Sequence, residues 1–154
     1  RVMNKTEIKE LLFNHCMNDV DTRIKTIEKA IDEAQDAARS ETKSVASEEP
    51  ETGKERMQRE IETLGRRLEE SVAQHTILRN INYKKVCTIT EPGALVETSI
   101  GVFFIAMSAD EIDIEGESYT PISLSSPIGL VLKDRKAGEK VSFRGKSIKI
   151  FSIC

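Results

Sequence analysis

Two heptad-patterned runs separated by a short polar stretch constrain this chain more than any other feature. From Asn4 to Ala38 there is no Gly and no Pro. Phe13, Met17, Val20, Ile24, Ile27, Ile31, Ala34 and Ala38 recur there in alternating steps of four and three. That spacing gathers them on one stripe of an α-helix, as in a coiled-coil seam. A second stripe follows at Met57, Ile61, Leu64, Leu68, Ser71, His75 and Leu78. Between the runs, over residues 39–53, the apolar pattern stops. Ser, Thr and Glu take over, and Pro50 and Gly53 read as helix breakers.

Two helices joined by so short a stretch fold back on each other. One antiparallel register pairs Ile31 with Met57, Ile27 with Ile61, Ile24 with Leu64 and Val20 with Leu68, apolar at every step. At ~1.5 Å per residue, a first helix of about 35 residues reaches ~50 Å from base to tip. The alternative is an intermolecular coiled coil, which the short connection disfavours. His15, Cys16 and His75 fall at or beside core spacing and read as packing rather than metal ligands.

Near Asn80–Tyr83 the heptads give way to short β-branched and aromatic runs. Lys85–Thr90, Ala94–Glu97, Val102–Met107, Lys140–Phe143 and Ser147–Ile153 are separated by Gly, Pro, Asp and Ser, the punctuation of a mostly antiparallel sheet. Ser126 followed by Pro127 marks the start of a short helix through Leu132. The sequence thus predicts an α+β protein. Residues 1–80 form an N-terminal antiparallel coiled-coil hairpin with an acidic tip near 40–53, and residues 81–154 form a small antiparallel sheet with one short helix. With 32% charged and 5% aromatic residues and no Trp, the composition suits a chain that spends many residues on an exposed arm.

A formal charge of −3 argues against bulk phosphate neutralisation, while leaving room for a local basic stripe. No run approaches the ~18–20 apolar residues of a membrane span. Cys16, Cys87 and Cys154 are isolated and odd in number, so they read as reduced thiols and point to the cytoplasm. Glu41, Glu48, Glu49 and Glu51 cluster at the tip. Clustered carboxylates suit Mg²⁺, a hard cation with oxygen ligands, but on composition alone a charge run more often marks a plain solvated loop. Arg56, Arg59 and Arg66 lie near one face of the second helix. They can meet phosphates, or serve as the i,i+4 partners of Glu55 and Glu62. No nucleophile motif and no Gly-rich phosphate loop is present, so a freestanding enzyme is not expected.

The stretch Ile122-Ser123-Leu124-Ser125-Ser126-Pro127-Ile128-Gly129-Leu130-Val131-Leu132, then Lys133 and Ala137-Gly138-Glu139-Lys140-Val141, resembles the C-terminal signature of the Gre family. These are bacterial transcript-cleavage factors, and the order of hairpin then sheet agrees with theirs. The resemblance implies an FKBP-like C-terminal domain without prolyl isomerase activity. It implies docking at the secondary channel of bacterial RNA polymerase, with the hairpin directed at the active centre. There, acidic tip residues help hold a second Mg²⁺ with which the polymerase hydrolyses backtracked RNA.

On that footing Glu48 and Glu51, either side of Pro50, are the first candidates to share the ion, with Glu41 and Glu49 in reserve. Arg56, Arg59 and Arg66 would face RNA phosphates near the nascent 3′ end. Ser123, Ser125, Ser126, Lys133, Arg135 and Lys136 would contact the polymerase. The protein would act as a monomer and stimulate an activity that belongs to the polymerase. The family's tip motif, D-x-x-E-N followed by an acidic–aromatic pair, is absent from Ser40–Glu51. Two alternatives therefore stand: a Gre-like protein that enters the channel and inhibits or modulates transcription, and a structural coiled-coil adaptor.

Overall fold

The computed structural model describes residues 2–43 and 50–154, with backbone alone for 41–43 and 50–52. Asn4 caps helix α1 (Lys5–Lys43): its Oδ1 accepts from the Glu7 amide at 2.8 Å, and its Nδ2 donates to Glu7 Oε1 at 2.9 Å. The cap satisfies one amide that the first turn leaves unpaired, and it places a carboxylate at the positive end of the helix dipole. Helix α2 runs Pro50–Arg79. Both helices extend into residues 39–53, which the sequence assigned to the connection. Loss of apolar periodicity there removes a face to bury, not the capacity for helix. Proline at the first helical position forfeits only an amide that has no partner anyway.

The chain divides into two compact units, residues 20–75 and residues 1–19 with 76–154. In the first, Val20, Ile27, Ala34, Leu64 and Ser71 are buried. Its helices are held across the seam by Arg23 Nη1 donating to Gln74 Oε1 at 3.0 Å, and by His75 Nε2 lying 3.4 Å from Asp21 Oδ1. These contacts correct the expected register. Pairing Ile27 with Ile61 would set Arg23 opposite Gly65, nine residues (~13.5 Å of helix) from Gln74. The heptad match nearest to the observed contacts sets Ile31 beside Leu64, Ile27 beside Leu68 and Ile24 beside Ser71. The difference is one heptad. A seven-residue slide restores an apolar match at almost every step, so the pattern alone does not choose between the two.

The second unit is built on a six-stranded sheet in the order β3-β4-β2-β1-β6-β5. Its strands are β1 (Leu95–Thr98), β2 (Gly101–Ile105), β3 (Ile112–Ile114), β4 (Glu117–Ile122), β5 (Lys140–Phe143) and β6 (Lys146–Ile153). Every pairing is antiparallel except β2 with β4. Helix α3 (Pro127–Leu132) contributes Leu132 to a core with Val96, Phe103, Ile105, Ile122, Val141, Ile148 and Ile150. The predicted fold class holds. No helix among the described residues is long and apolar enough to cross a membrane.

Two strand expectations need correction. Lys85–Thr90 is not a strand, and only Ile89 makes an isolated antiparallel bridge, to Lys136. Its backbone is spent elsewhere: the Lys85 carbonyl accepts from Lys9 Nζ at 2.9 Å, and the Thr90 amide donates to the Arg135 carbonyl at 2.9 Å. The β3–β4 hairpin, in turn, has no counterpart among the expected strands. Its charged residues and Pro121 mask the strand pattern. Glu115 and Gly116 at its turn both have positive φ (51° and 82°), the requirement of a two-residue type I′ loop. Pro121 is tolerated because β3 pairs only with Glu117–Tyr119, so no ladder amide is demanded of it.

Candidate functional site

The segment Ser123–Leu132 of the second unit is bonded to itself through side chains and backbone. Ser126 is the N-cap of α3, with φ −71° and ψ 158°, and Pro127 occupies the first turn. The Ser126 hydroxyl donates to the Ser123 carbonyl at 2.6 Å and accepts from the Gly129 amide at 3.1 Å. The Ser123 hydroxyl accepts from the Ser125 amide at 3.0 Å and lies 2.6 Å from the Ser125 hydroxyl. Gly129 is buried against this turn: a β-carbon there would fall 2.0 Å from the Ser123 carbonyl oxygen. Each residue of the S-x-x-S-P-x-G pattern therefore has a local structural role.

That bonding separates the three candidate serines. Ser123 and Ser126 are half-buried and committed to the turn, whereas Ser125 is exposed. Beside them lies a cavity of about 320 Å³ lined by Ile77, Pro92, Ile105, Ala106, Ser123, Leu124 and Ser125. Its walls are chiefly apolar, and Ile77 is itself 52% exposed. Leu130 on α3 is 63% exposed. The sequence reading missed Ile77 and Pro92. Ile77 falls off the heptad seam and Pro92 reads as a turn residue, so neither carried a signal.

Lys133, Arg135 and Lys136 are all exposed on the turn that follows α3. The backbone fixes that turn: Asp134 has a positive φ of 63°, its amide donates to the Thr90 carbonyl at 3.0 Å, and the Lys136 amide donates to Glu139 Oε2 at 2.8 Å. Arg56, Arg59 and Arg66 are exposed on α2, and Arg66 Nη2 donates to Thr63 Oγ1 at 3.3 Å. These arginines belong to the first unit and the α3 turn to the second. Of the tip carboxylates, Glu48 and Glu49 lie outside the described residues, as do the side chains of Glu41 and Glu51.

The thiols and the buried lysine are occupied structurally. Burial, with Asp19 adding to it, pushes the Cys16 thiol up to about 12. Burial also raises Cys87. Lys9 is 2% exposed, and its ammonium caps the carbonyls of Lys85 at 2.9 Å and Cys154 at 3.1 Å. Phe13 and Tyr83 stack nearby on the chain with ring centroids 5.2 Å apart. No group of three His, Cys, Asp or Glu among the described residues is placed to hold a metal ion.

Fold and site together define an α+β protein with a helical hairpin, a six-stranded sheet and a rigid, serine-capped turn beside an apolar cavity. No family model matches the chain. No curated protein matches it either. Among solved structures, that of the transcription factor Gfh1 is similar at 16% identity and a TM-score of 0.36, covering 89% of this chain and 92% of that one.

Proposed function

We propose that this protein is a Gre-like factor that docks at the secondary channel of bacterial RNA polymerase and stimulates cleavage of backtracked RNA. The observation that carries the reading is the segment Ser123–Leu132. Its resemblance to the Gre signature extends to residues that the fold needs one by one, with Ser126 as cap, Pro127 in the first turn and Gly129 against the Ser123 carbonyl. The helical hairpin that precedes the sheet is consistent with the same reading. Exposed Ser125 and the basic turn Lys133, Arg135 and Lys136 are the polymerase contacts in this account.

The protein would carry no active site of its own. Glu48 and Glu51, with Glu41 and Glu49 in reserve, would supply carboxylate oxygens to a Mg²⁺ shared with the polymerase. Oxygen donors of that kind suit the ion, which lowers the barrier to hydrolysis by stabilising charge on attacking and leaving oxygens. Arg56, Arg59 and Arg66 would meet RNA phosphates. Binding of the full chain to core polymerase, compared with a Lys133→Glu/Arg135→Glu/Lys136→Glu variant, tests the docking half. A drop of tenfold or more supports it, and unchanged affinity removes the basic turn from the interface. A second reading, entry into the channel without cleavage, is favoured by the tip sequence Ser40–Glu51, which has no Asp.

A further inference from the structure

The net charge of −3 conceals a sharply basic segment: residues 133–149 hold seven Lys and Arg against one Asp and one Glu. Much of it is the β5–β6 hairpin. Arg144 and Gly145 at its turn both have positive φ (50° and 79°), a two-residue loop that fixes the register of the strands. In that register Lys140 lies directly opposite Lys149, and Val141 opposite Ile148. Val141 and Ile148 point into the core, so the alternation puts both lysines on the outer face, where both are exposed. Like charges directly opposite on neighbouring strands repel. Among the described residues, neither lysine lies within ion-pair distance of a carboxylate.

An aromatic ring stands beside this pair. Glu97 pairs with Ser152 and Thr98 with Ile150, so the strand bulges and Phe151 is the extra residue. Ile150 is fully buried, while Phe151 is 53% exposed. The same alternation that puts Lys149 outside puts Phe151 there too, so a phenyl ring faces solvent two residues from Lys149. At the hairpin turn the Arg144 guanidinium sits 4.9 Å over the Phe143 ring, and Lys146 follows it.

Facing lysines that no carboxylate neutralises call for a polyanion, and an exposed ring beside them calls for a flat apolar group. A duplex supplies phosphates but keeps its bases stacked. An acidic polypeptide supplies carboxylates without a regular supply of flat faces. Single-stranded nucleic acid supplies both, and exposed β-sheet faces with aromatic residues are a recurrent platform for it. We propose that the outer face of the β5–β6 hairpin binds single-stranded nucleic acid. Lys140 and Lys149 take phosphates, and Phe151 stacks on a base. Nothing in this assignment depends on polymerase binding, and its test uses no polymerase.

The test is fluorescence anisotropy of the full chain with a labelled oligouridylate of about 12 nucleotides, titrated at several salt concentrations. The wild type should bind, with log affinity falling as log salt rises. Lys140→Ala/Lys149→Ala should weaken binding by about tenfold at low salt and flatten the salt slope by ~1.4, the share of two phosphates on a single strand. Phe151→Ala should weaken binding about tenfold with the slope unchanged, and Phe151→Tyr should restore it. All three side chains are exposed, and circular dichroism checks that the fold persists. Absence of wild-type binding, equal affinity for a duplex of the same length or for polyglutamate, or indifference to both sets of substitutions would overturn the assignment.

Discussion

Gly129 approaches Ser123 so closely that a β-carbon on it would lie 2.0 Å from the Ser123 carbonyl oxygen and 2.8 Å from the Leu124 α-carbon. The obstacle is backbone, which a rotamer change does not relieve. Gly129→Ala should therefore cost about 3 kcal/mol, at the upper end of ordinary overpacking. Ser126→Ala, which removes the cap, should cost about 1 kcal/mol. Urea denaturation of the full chain measures both. A Gly129→Ala chain as stable as the wild type would mean that the turn is not held against α3 as described.

The hairpin register can be read chemically. In a background lacking the native cysteines, Ile27→Cys/Leu68→Cys should form a disulfide readily, and Ile27→Cys/Ile61→Cys should not. The two sites on α2 are seven residues apart, ~10.5 Å along the helix. A disulfide tolerates Cβ separations of only about 4 Å. Mass spectrometry after mild oxidation gives the result. Preferential crosslinking of the Ile27–Ile61 pair would restore the register that sequence periodicity first suggests.

Lys85 and Glu91 form an ion pair at 2.7 Å with the lysine 60% exposed. The Lys85 hydrogen bond holds Glu91 below its usual 4.5, and Glu91 raises Lys85 above its usual 10.5. A lowered acid stabilises the fold above its unfolded value and loses that contribution as pH falls through its folded one. A raised base stabilises below its unfolded value and loses it as pH rises through its folded one. The stability difference between wild type and Glu91→Gln should thus be small and level between about pH 4.5 and 9. It should shrink below that window as Glu91 takes up a proton, and above it as Cys87, whose thiol Glu91 also holds up, and then Lys85 lose theirs. Chemical denaturation across pH checks it, and a difference that grows at low pH would contradict the pairing.

Much of this fold was legible in the chain because its strongest signals are local. The Ser126-Pro127 start of α3, the β5 strand and the last strand are set by neighbours in sequence, and the structure places them within a residue of where the sequence did. The hairpin register was not legible, since a heptad repeat matches itself after seven residues and only contacts such as Arg23–Gln74 select one match. Strand β4 was hidden because its Pro121 is permitted only by the shortness of its neighbour β3. Likewise, the serines announced a capped helix, but their sequence did not reveal that only Ser125 is left exposed. Burial decides that, and burial depends on distant partners.

Carboxylates at the tip should matter for activity and hardly at all for folding. Glu48→Ala/Glu51→Ala should lower stimulated RNA cleavage by orders of magnitude, because metal stabilisation of the transition state is worth several kcal/mol. The thermal midpoint should scarcely move, since surface substitutions usually stay within about 0.5 kcal/mol. Cleavage and polymerase binding are measured side by side. Unchanged cleavage with intact binding would exclude these two residues as ligands and transfer the role to Glu41 and Glu49.

The central claim is tested most directly with the unmodified protein on stalled, backtracked elongation complexes of bacterial RNA polymerase. RNA length is followed on a denaturing gel, and bound protein is quantified in the same reactions. The account predicts that added protein binds the complexes and shortens the transcript from its 3′ end in a Mg²⁺-dependent manner. Binding without shortening would contradict cleavage and leave channel entry alone, and absence of binding would contradict the polymerase reading altogether.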